Sequence, residues 1–135
     1  MSVYNAPEKR KDAFIKEYDT KDDIVQVAKA LGINVNTFKS DDGIRGVIAY
    51  LENKFEIYIN TKIVDTLNEL NDIVIHEISH WIFDYDEVKK RPFFDRDDRS
   101  PDEKDLESEL RAVNFTDLMI ERKKLRANVK KEQEQ

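Results

Sequence analysis

Residues 73–83 read IVIHEISHWIF, and this stretch decides both the fold and the chemistry expected of the chain. Its central five residues, His76-Glu77-Ile78-Ser79-His80, include both histidines of the sequence. On an α-helix, residues four apart project from the same face, about 40° apart around the axis. Two imidazoles so placed can bind one Zn²⁺, and the glutamate beside the first can act as a general base. The alternative is two polar residues on a solvated helix face.

The residues around this motif predict a helix from about Ile63 to Asp84. On a helical wheel with His76 at zero, apolar residues occupy the opposite half, from about 120° to 260°. These residues are Leu67, Leu70, Val74, Ile75, Ile78, Trp81 and Ile82. Because Ile73 and Phe83 flank the histidines, we expect the helix to be covered on one side and to border a cleft on the other.

Two helices are predicted before the motif helix. The first is a charged helix from about residue 7 to residue 18. The second begins with Thr20 or Asp22 as its cap and is ended by Gly32.

Three strands are predicted between these helices and the motif helix. Ile33 to Phe38 has the character of a short strand. The apolar-rich runs Ile44 to Leu51 and Phe55 to Ile59 predict an antiparallel hairpin. The expected fold class is α+β, with a small antiparallel sheet of about three strands packed against the motif helix and further helices.

The last third of the chain predicts a polar loop and a long helix. The loop extends from Asp84 to Lys104 and forms a rim to the cleft. The final helix begins near Ser100-Pro101, a good cap followed by a good first-turn residue, and continues toward Arg126. We expect a single domain over residues 1–135, with frayed ends at 1–6 and 128–135.

Composition excludes several classes of function. The net charge of −6 disfavours direct nucleic acid binding, because DNA-binding domains usually present a basic face. The sequence has no cysteine, so a metal site must use histidine and carboxylate ligands. No apolar run is long enough to cross a bilayer, and the first residues lack the apolar stretch of a secretory signal. We therefore expect a cytoplasmic protein.

A catalytic zinc usually has three protein ligands, so a third must be found. With both histidines used, it must be Asp or Glu. Glu109 is favoured by the wheel of the last helix, where it lies in the middle of an apolar stripe. The residues within about 60° of Glu109 are Leu106, Ala112, Val113, Thr116 and Ile120. An unpaired carboxylate would be costly there, and a bound cation would offset that cost.

Two alternatives to Glu109 as a ligand remain open. Asp105, one turn earlier on nearly the same face, is the second choice as ligand, or it hydrogen-bonds to a ligand histidine from outside. Glu109 could instead be an inward acid paired with an arginine such as Arg45. Glu107, on the far side of the helix, should face water.

The sequence resembles the ImmA/IrrE family of zinc metallopeptidases over most of its length. Family members have a helix of the form A-x-x-L-G-I, seen here as Ala28 to Ile33, and a hairpin ending I-Y-I-N, seen here as Ile57 to Asn60. The motif helix follows, and then a helix of the form E-x-x-A-N-x-F-A. Glu109, Ala112 and Phe115 approximate that pattern, although Val113 replaces its asparagine. The resemblance implies a zincin-like fold with His76, His80 and Glu109 as zinc ligands.

The activity implied is zinc-dependent proteolysis, with Glu77 as general base. The oxyanion would be stabilised by Tyr58, Tyr85 or Arg111. Members of the family often cleave a transcriptional repressor, so we expect a cytosolic regulatory protein as substrate, of phage or mobile-element origin. The alternative is a non-cleaving antirepressor that sequesters such a partner, and a third possibility is a toxin that cleaves a general cellular protein.

Overall fold

Five helices and a three-stranded sheet make up the computed structural model, which describes residues 6–91 and 103–133. This confirms the predicted α+β class. In chain order the elements are α1 (Pro7–Thr20), α2 (Ile24–Ala30), β1 (Ile33–Phe38), β2 (Gly46–Leu51), β3 (Lys54–Asn60), α3 (Leu67–Phe83), α4 (Tyr85–Lys90) and α5 (Glu103–Gln133).

The sheet has the strand order β1-β3-β2. The predicted hairpin is present: β2 and β3 are antiparallel, joined by a turn in which Glu52 and Asn53 have φ of 50° and 65°. Positive φ at both central residues is typical of a type I′ turn, whose twist matches that of the strands. However, β1 lies parallel to β3, so the sheet is mixed rather than wholly antiparallel as predicted.

Asn60 stabilises the loop that makes this topology possible. The chain leaves β1 and crosses the end of β3 before it enters β2, and the fully buried Asn60 lies under that crossing. Its amide nitrogen donates to the carbonyls of Ser40 and Ile44 at 3.0 and 2.9 Å, and its oxygen accepts from the Ser40 amide at 3.1 Å. The loop therefore has a fixed course, and it delivers Arg45 and Gly46 to the start of β2.

The helix α3 is the centre of the core. Thr66 caps it, because its hydroxyl accepts a hydrogen bond from the Glu69 amide at 3.2 Å, so α3 begins after the predicted Ile63. Within the predicted apolar stripe, Val74, Ile75, Ile78, Trp81 and Ile82 are buried. Leu67, in contrast, is 73% exposed, since it lies in the first turn of the helix.

Two short-range details differ from the predictions. Asp23 caps α2 by accepting from the Val25 amide at 2.9 Å, where Thr20 or Asp22 was expected. The start of the predicted 84–104 loop is the helix α4.

A buried arginine, Arg10, connects α1 to the end of α3 and the start of α4. It donates to the carbonyl of Ile82 at 3.0 and 2.8 Å and lies 4.3 Å from the centre of the Tyr85 ring.

The long helix α5 packs along α3 and reaches α1. Its buried residues are Ser108, Ala112, Phe115, Thr116 and Met119. The Tyr18 hydroxyl of α1 donates to the Met119 carbonyl at 2.9 Å. The helix continues to Gln133, beyond the predicted end at Arg126, whereas its predicted start at Ser100-Pro101 lies outside the described residues. Over the ranges described, none of the helices combines the length and apolar character needed to span a bilayer.

Candidate metal centre

The two motif histidines lie side by side on α3. Their ring centroids are 5.0 Å apart and the ring planes meet at 78°. His80 is fully buried, while the His76 side chain is about one-fifth exposed. The predicted helix therefore gives the expected result: two imidazoles one turn apart that face the same neighbour.

That neighbour is Glu109 of α5. Its Oε2 lies 3.1 Å from Nε2 of His76, and its Oε1 lies 3.1 Å from Nε2 of His80. One ligand atom from each of the three residues lies within 4.8 Å of the others. The structure thus brings together the three residues predicted as metal ligands, and the group could hold a metal ion.

The donor set fits Zn²⁺. Imidazole nitrogen and carboxylate oxygen are ordinary zinc ligands, with bonds of about 2.0–2.2 Å, so donors around a tetrahedral ion lie roughly 3.3 Å apart. Each imidazole nitrogen lies 3.1 Å from one carboxylate oxygen of Glu109, which is close to that spacing. Three protein ligands are also the number that leaves one position for water in catalytic sites.

The sequence predicted that Glu109 lies in the middle of the buried stripe of the last helix, and this position is wrong. The face of α5 that packs on α3 is centred on Ala112, Phe115 and Met119, roughly 90° around the helix from Glu109. Val113 and Leu106, expected beside Glu109 in a buried stripe, are exposed. Glu109 therefore lies at the border of the packed face, with 39% of its side chain exposed, where it can contact both the histidines and solvent.

The alternatives to Glu109 can also be placed. Arg45 lies 3.5 Å from Glu69, while the carboxylate of Glu109 contacts two imidazoles. The Arg45–Glu109 pair considered from the sequence is therefore not what the structure shows. Glu107 is exposed, as predicted. The side chain of Asp105 lies outside the described part of the chain.

Glu77, the predicted general base, is 1% exposed. It shares a pocket of about 370 Å³ with two of the candidate ligands, His76 and Glu109, while the fully buried His80 lies behind them. The other lining residues are Arg45, Gly46, Asp72, Ile73, Val113, Thr116, Asp117 and Ile120. A carboxylate that is shielded from bulk water and adjoins a metal site is suitably placed to exchange protons with a reactant held in the pocket.

Gly46 permits the close approach of β2 and α3 at this pocket. A Cβ atom at position 46 would lie 2.5 Å from Cγ2 of Ile73 and 3.9 Å from Cγ of Glu77. Ile73 is branched at Cβ and cannot easily swing away. Only glycine therefore allows the start of β2 to lie against the turn of α3 that precedes His76.

Asp84 is a site residue that the sequence interpretation missed. Its Oδ2 lies 3.0 Å from Nδ1 of His80 and accepts from the Ser108 hydroxyl at 2.7 Å, while its Oδ1 accepts from Arg111 at 2.8 Å. Burial alone would raise the pKa of Asp84, but these hydrogen bonds, first those with His80 and Ser108, outweigh it and lower that pKa. The spacing offered a signal, since Asp84 follows His80 by four residues, as His80 follows His76.

None of the three residues predicted to stabilise an oxyanion is among those lining the pocket. Arg111 binds Asp84, which lies on the Nδ1 side of His80, away from Glu109. Tyr85 packs against the rings of Phe55 and Trp81. Tyr58 pairs with Val47, one residue out of phase with Gly46, so its side chain is on the sheet face opposite α3.

Comparisons of the chain with protein-family models, with characterised proteins and with solved structures found no match. The resemblance to the ImmA/IrrE family therefore stays a prediction that rests on the residues quoted for it.

Proposed function

We propose that this protein is a zinc-dependent endopeptidase that cleaves a regulatory protein. The observation that carries the proposal is the convergence of His76, His80 and Glu109 beside a pocket that Glu77 also lines. A structural zinc site is normally closed by four protein ligands, whereas this group offers three. A structural site would also have no need of an inward glutamate between its histidine ligands.

Each residue then has a defined role. Zinc bound by the three ligands would supply Lewis acidity toward the scissile carbonyl and toward water. His76 and His80 would hold the metal through Nε2, and Glu109 would hold it through its carboxylate. Glu77 accepts a proton from the attacking water and delivers the same proton to the leaving amine, so it returns to its ionised form at the end of the cycle.

The substrate is expected to bind as an extended strand. Within the described sheet, β2 has β3 on one side only, and its first residue, Gly46, lines the pocket. An extended peptide can add to such an edge through main-chain hydrogen bonds. The resemblance to the ImmA/IrrE family supports a transcriptional repressor as the class of substrate.

The experiment that tests this proposal compares wild type with Glu77→Gln. Zinc content is measured by mass spectrometry, and cleavage is measured on a library of peptides from a bacterial proteome by sequencing the new ends. We expect equal zinc in both proteins and a loss of cleavage in the variant of at least about 10²-fold, the usual contribution of a general base. The matched control is Glu107→Gln, which removes the same charge from an exposed position and should keep full activity.

Two results would contradict this proposal, the first its mechanism and the second proteolysis itself. Cleavage that persists in Glu77→Gln at the wild-type rate would remove Glu77 from the mechanism. If neither protein cleaves any peptide but both bind and inactivate a repressor, the non-cleaving antirepressor is the correct function. Toxicity on expression that depends on Glu77 would instead point to a general cellular substrate.

A further inference from the structure

A polar cluster lies on the side of His80 opposite to Glu109. It consists of Asp84, at the C-terminal end of α3, and of Ser108 and Arg111 on α5. His80 is fully buried and Asp84 is 8% exposed, so water does not screen their contact. The cluster is not required by the motif, yet it touches the most buried of the candidate ligands.

The hydrogen atoms of the cluster can be assigned from its geometry. Two oxygens face Nδ1 of His80: Oδ2 of Asp84 at 3.0 Å and Oγ of Ser108 at 3.2 Å. Ser108 donates its own hydrogen to Asp84 at 2.7 Å, so toward Nδ1 it presents only lone pairs. Both atoms are then acceptors, so a proton on Nδ1 is hydrogen-bonded there, against the single acceptor, Oε1 of Glu109, that faces Nε2.

We propose that Asp84 is a positioning residue that keeps the proton of His80 on Nδ1 and thereby leaves Nε2 available as a ligand. This inference rests on the proposed metal site, and it adds a residue that the motif does not contain. Outer hydrogen bonds from a carboxylate to a ligand histidine fix both its tautomer and its ring orientation.

The same carboxylate also positions the third ligand. Ser108 and Arg111 both donate to Asp84, and they flank Glu109 on a single turn of α5. Glu109 in turn contacts both imidazoles. This turn of α5 therefore contacts α3 on both sides of His80. Asp84 makes the contact on the Nδ1 side, and Glu109 makes the contact on the Nε2 side.

Replacing Asp84 by Asn tests the assignment of the proton. Arg111 can only donate, so the oxygen of the introduced amide must face Arg111. Its NH₂ group then faces Nδ1 of His80 and forces the proton onto Nε2, the atom needed by the metal. A comparable Asp→Asn change in serine proteases is known to act through the wrong histidine tautomer.

The tautomer is read by nitrogen-15 NMR of the imidazoles in metal-free protein, at a pH where both rings are neutral. Only two histidines contribute, so assignment needs one His76 variant. Since Oε1 of Glu109 competes for the proton at 3.1 Å from Nε2, the measurement is made in a Glu109→Ala background. We expect the proton on Nδ1 with Asp84 present and on Nε2 in Asp84→Asn.

A second substitution should reverse this effect. Adding Arg111→Met to Asp84→Asn releases the amide, which can then turn its oxygen toward His80 and return the proton to Nδ1.

Zinc affinity is the second readout, measured by chelator competition in the otherwise native chain. Asp84→Asn should weaken zinc binding by about 10–100-fold, and the double variant should recover part of that loss. Asp86→Asn, an exposed aspartate nearby, is the matched control and should change neither quantity.

The outcomes separate this inference from the proposed function. A proton on Nε2 with Asp84 present would overturn the role of Asp84. So would an Asp84→Asn variant with an unchanged tautomer and unchanged zinc affinity. Neither result would contradict zinc-dependent cleavage by wild type. The expected tautomers in a chain that binds no zinc would support the role of Asp84 and refute the metallopeptidase. A merely structural role would lower stability without moving the proton, and the double variant would then restore nothing.

Discussion

In the proposed metal site, Glu109 would have to satisfy two opposing demands. A metal ligand must be held in place, which favours burial, whereas a catalytic site must admit water and substrate. Glu109 is at the border of the packed face of α5, with each of its oxygens 3.1 Å from an imidazole nitrogen and over a third of its side chain exposed. A position deeper in the stripe would have fixed the carboxylate but closed the pocket.

Glu109→Ala should therefore remove zinc without unfolding the protein. Loss of a direct ligand should weaken zinc binding by more than the roughly 10–100-fold that loss of an outer partner costs. Metal content by mass spectrometry and chelator competition measure the effect. Zinc should also raise the melting temperature of wild type, because binding to the folded state alone stabilises it, and it should not do so in the variant.

Glu107→Ala is the matched control for this substitution, since Glu107 is exposed on the same helix. It should retain stoichiometric zinc. If Glu109→Ala also retained stoichiometric zinc with wild-type affinity, Glu109 would not be a ligand, and Asp105 would become the candidate.

At the level of the elements, the contact between β2 and α3 determines the shape of the pocket. The two elements touch where Gly46 meets Ile73, one turn before His76. A side chain at position 46 would separate the edge strand from the helix that carries both histidines and Glu77. The absence of a side chain there is thus as important to the pocket as the residues that line it.

Gly46→Ala should destabilise the protein by about 1–3 kcal/mol, the usual cost of overpacking a close contact. The cause is the 2.5 Å approach of the new Cβ to Cγ2 of Ile73. Urea unfolding measures the free energy. Ile73→Ala removes the obstructing methyl group, so the double variant should lose less stability than the sum of the two single variants. Strict additivity would show that the two residues do not meet.

Across the whole molecule, α5 connects the motif helix to the first helix of the chain. Arg122 donates to Asp19 Oδ1 at 2.9 Å, and Arg126 donates to the Asp19 carbonyl at 2.6 Å. The hydrogen bond from Arg122 is the largest influence on the Asp19 carboxyl; it lowers its pKa below the ordinary value of 3.8, against the opposing effect of burial. The packing of α5 that places Glu109 is thus supported far from the site.

This ion pair should make stability depend on pH at the acid end. A carboxyl whose pKa is lower in the folded state stabilises the fold above its unfolded pKa, and that contribution is lost as the pH falls through the folded value. Arg122→Gln should therefore cost a measurable amount at pH 7, below about 1 kcal/mol because both side chains are partly exposed. The cost should disappear once the pH falls below the folded pKa of Asp19.

Urea unfolding of both proteins at pH 7 and at successively lower pH below 3.8 measures this difference. Lys123→Gln removes the same charge from the adjacent exposed residue and should show no comparable dependence. A cost of Arg122→Gln that stays constant down to the lowest pH would mean that Asp19 is not its partner in solution.

The elements near the motif could be predicted from the sequence because their signals are local. Helical periodicity identified most of α3 and its buried face, and apolar runs of strand character identified all three strands. Local signals do not indicate whether two neighbouring strands pair in a parallel or an antiparallel direction. The parallel pairing of β1 with β3 depends on the loop that Asn60 holds across the end of β3, and no residue in β1 itself indicates it.

Residues 73–83 by themselves determined that two imidazoles and a glutamate would share one helix, because spacing along a helix fixes which side chains are neighbours. The sequence also limited the third ligand to an acid, since it contains no cysteine and no further histidine. Only the tertiary structure decided how α5 is rotated against α3, since that rotation follows from the packing of Phe115 and Met119. It therefore also decided that Glu109 borders the pocket and that Asp84, Ser108 and Arg111 meet behind His80.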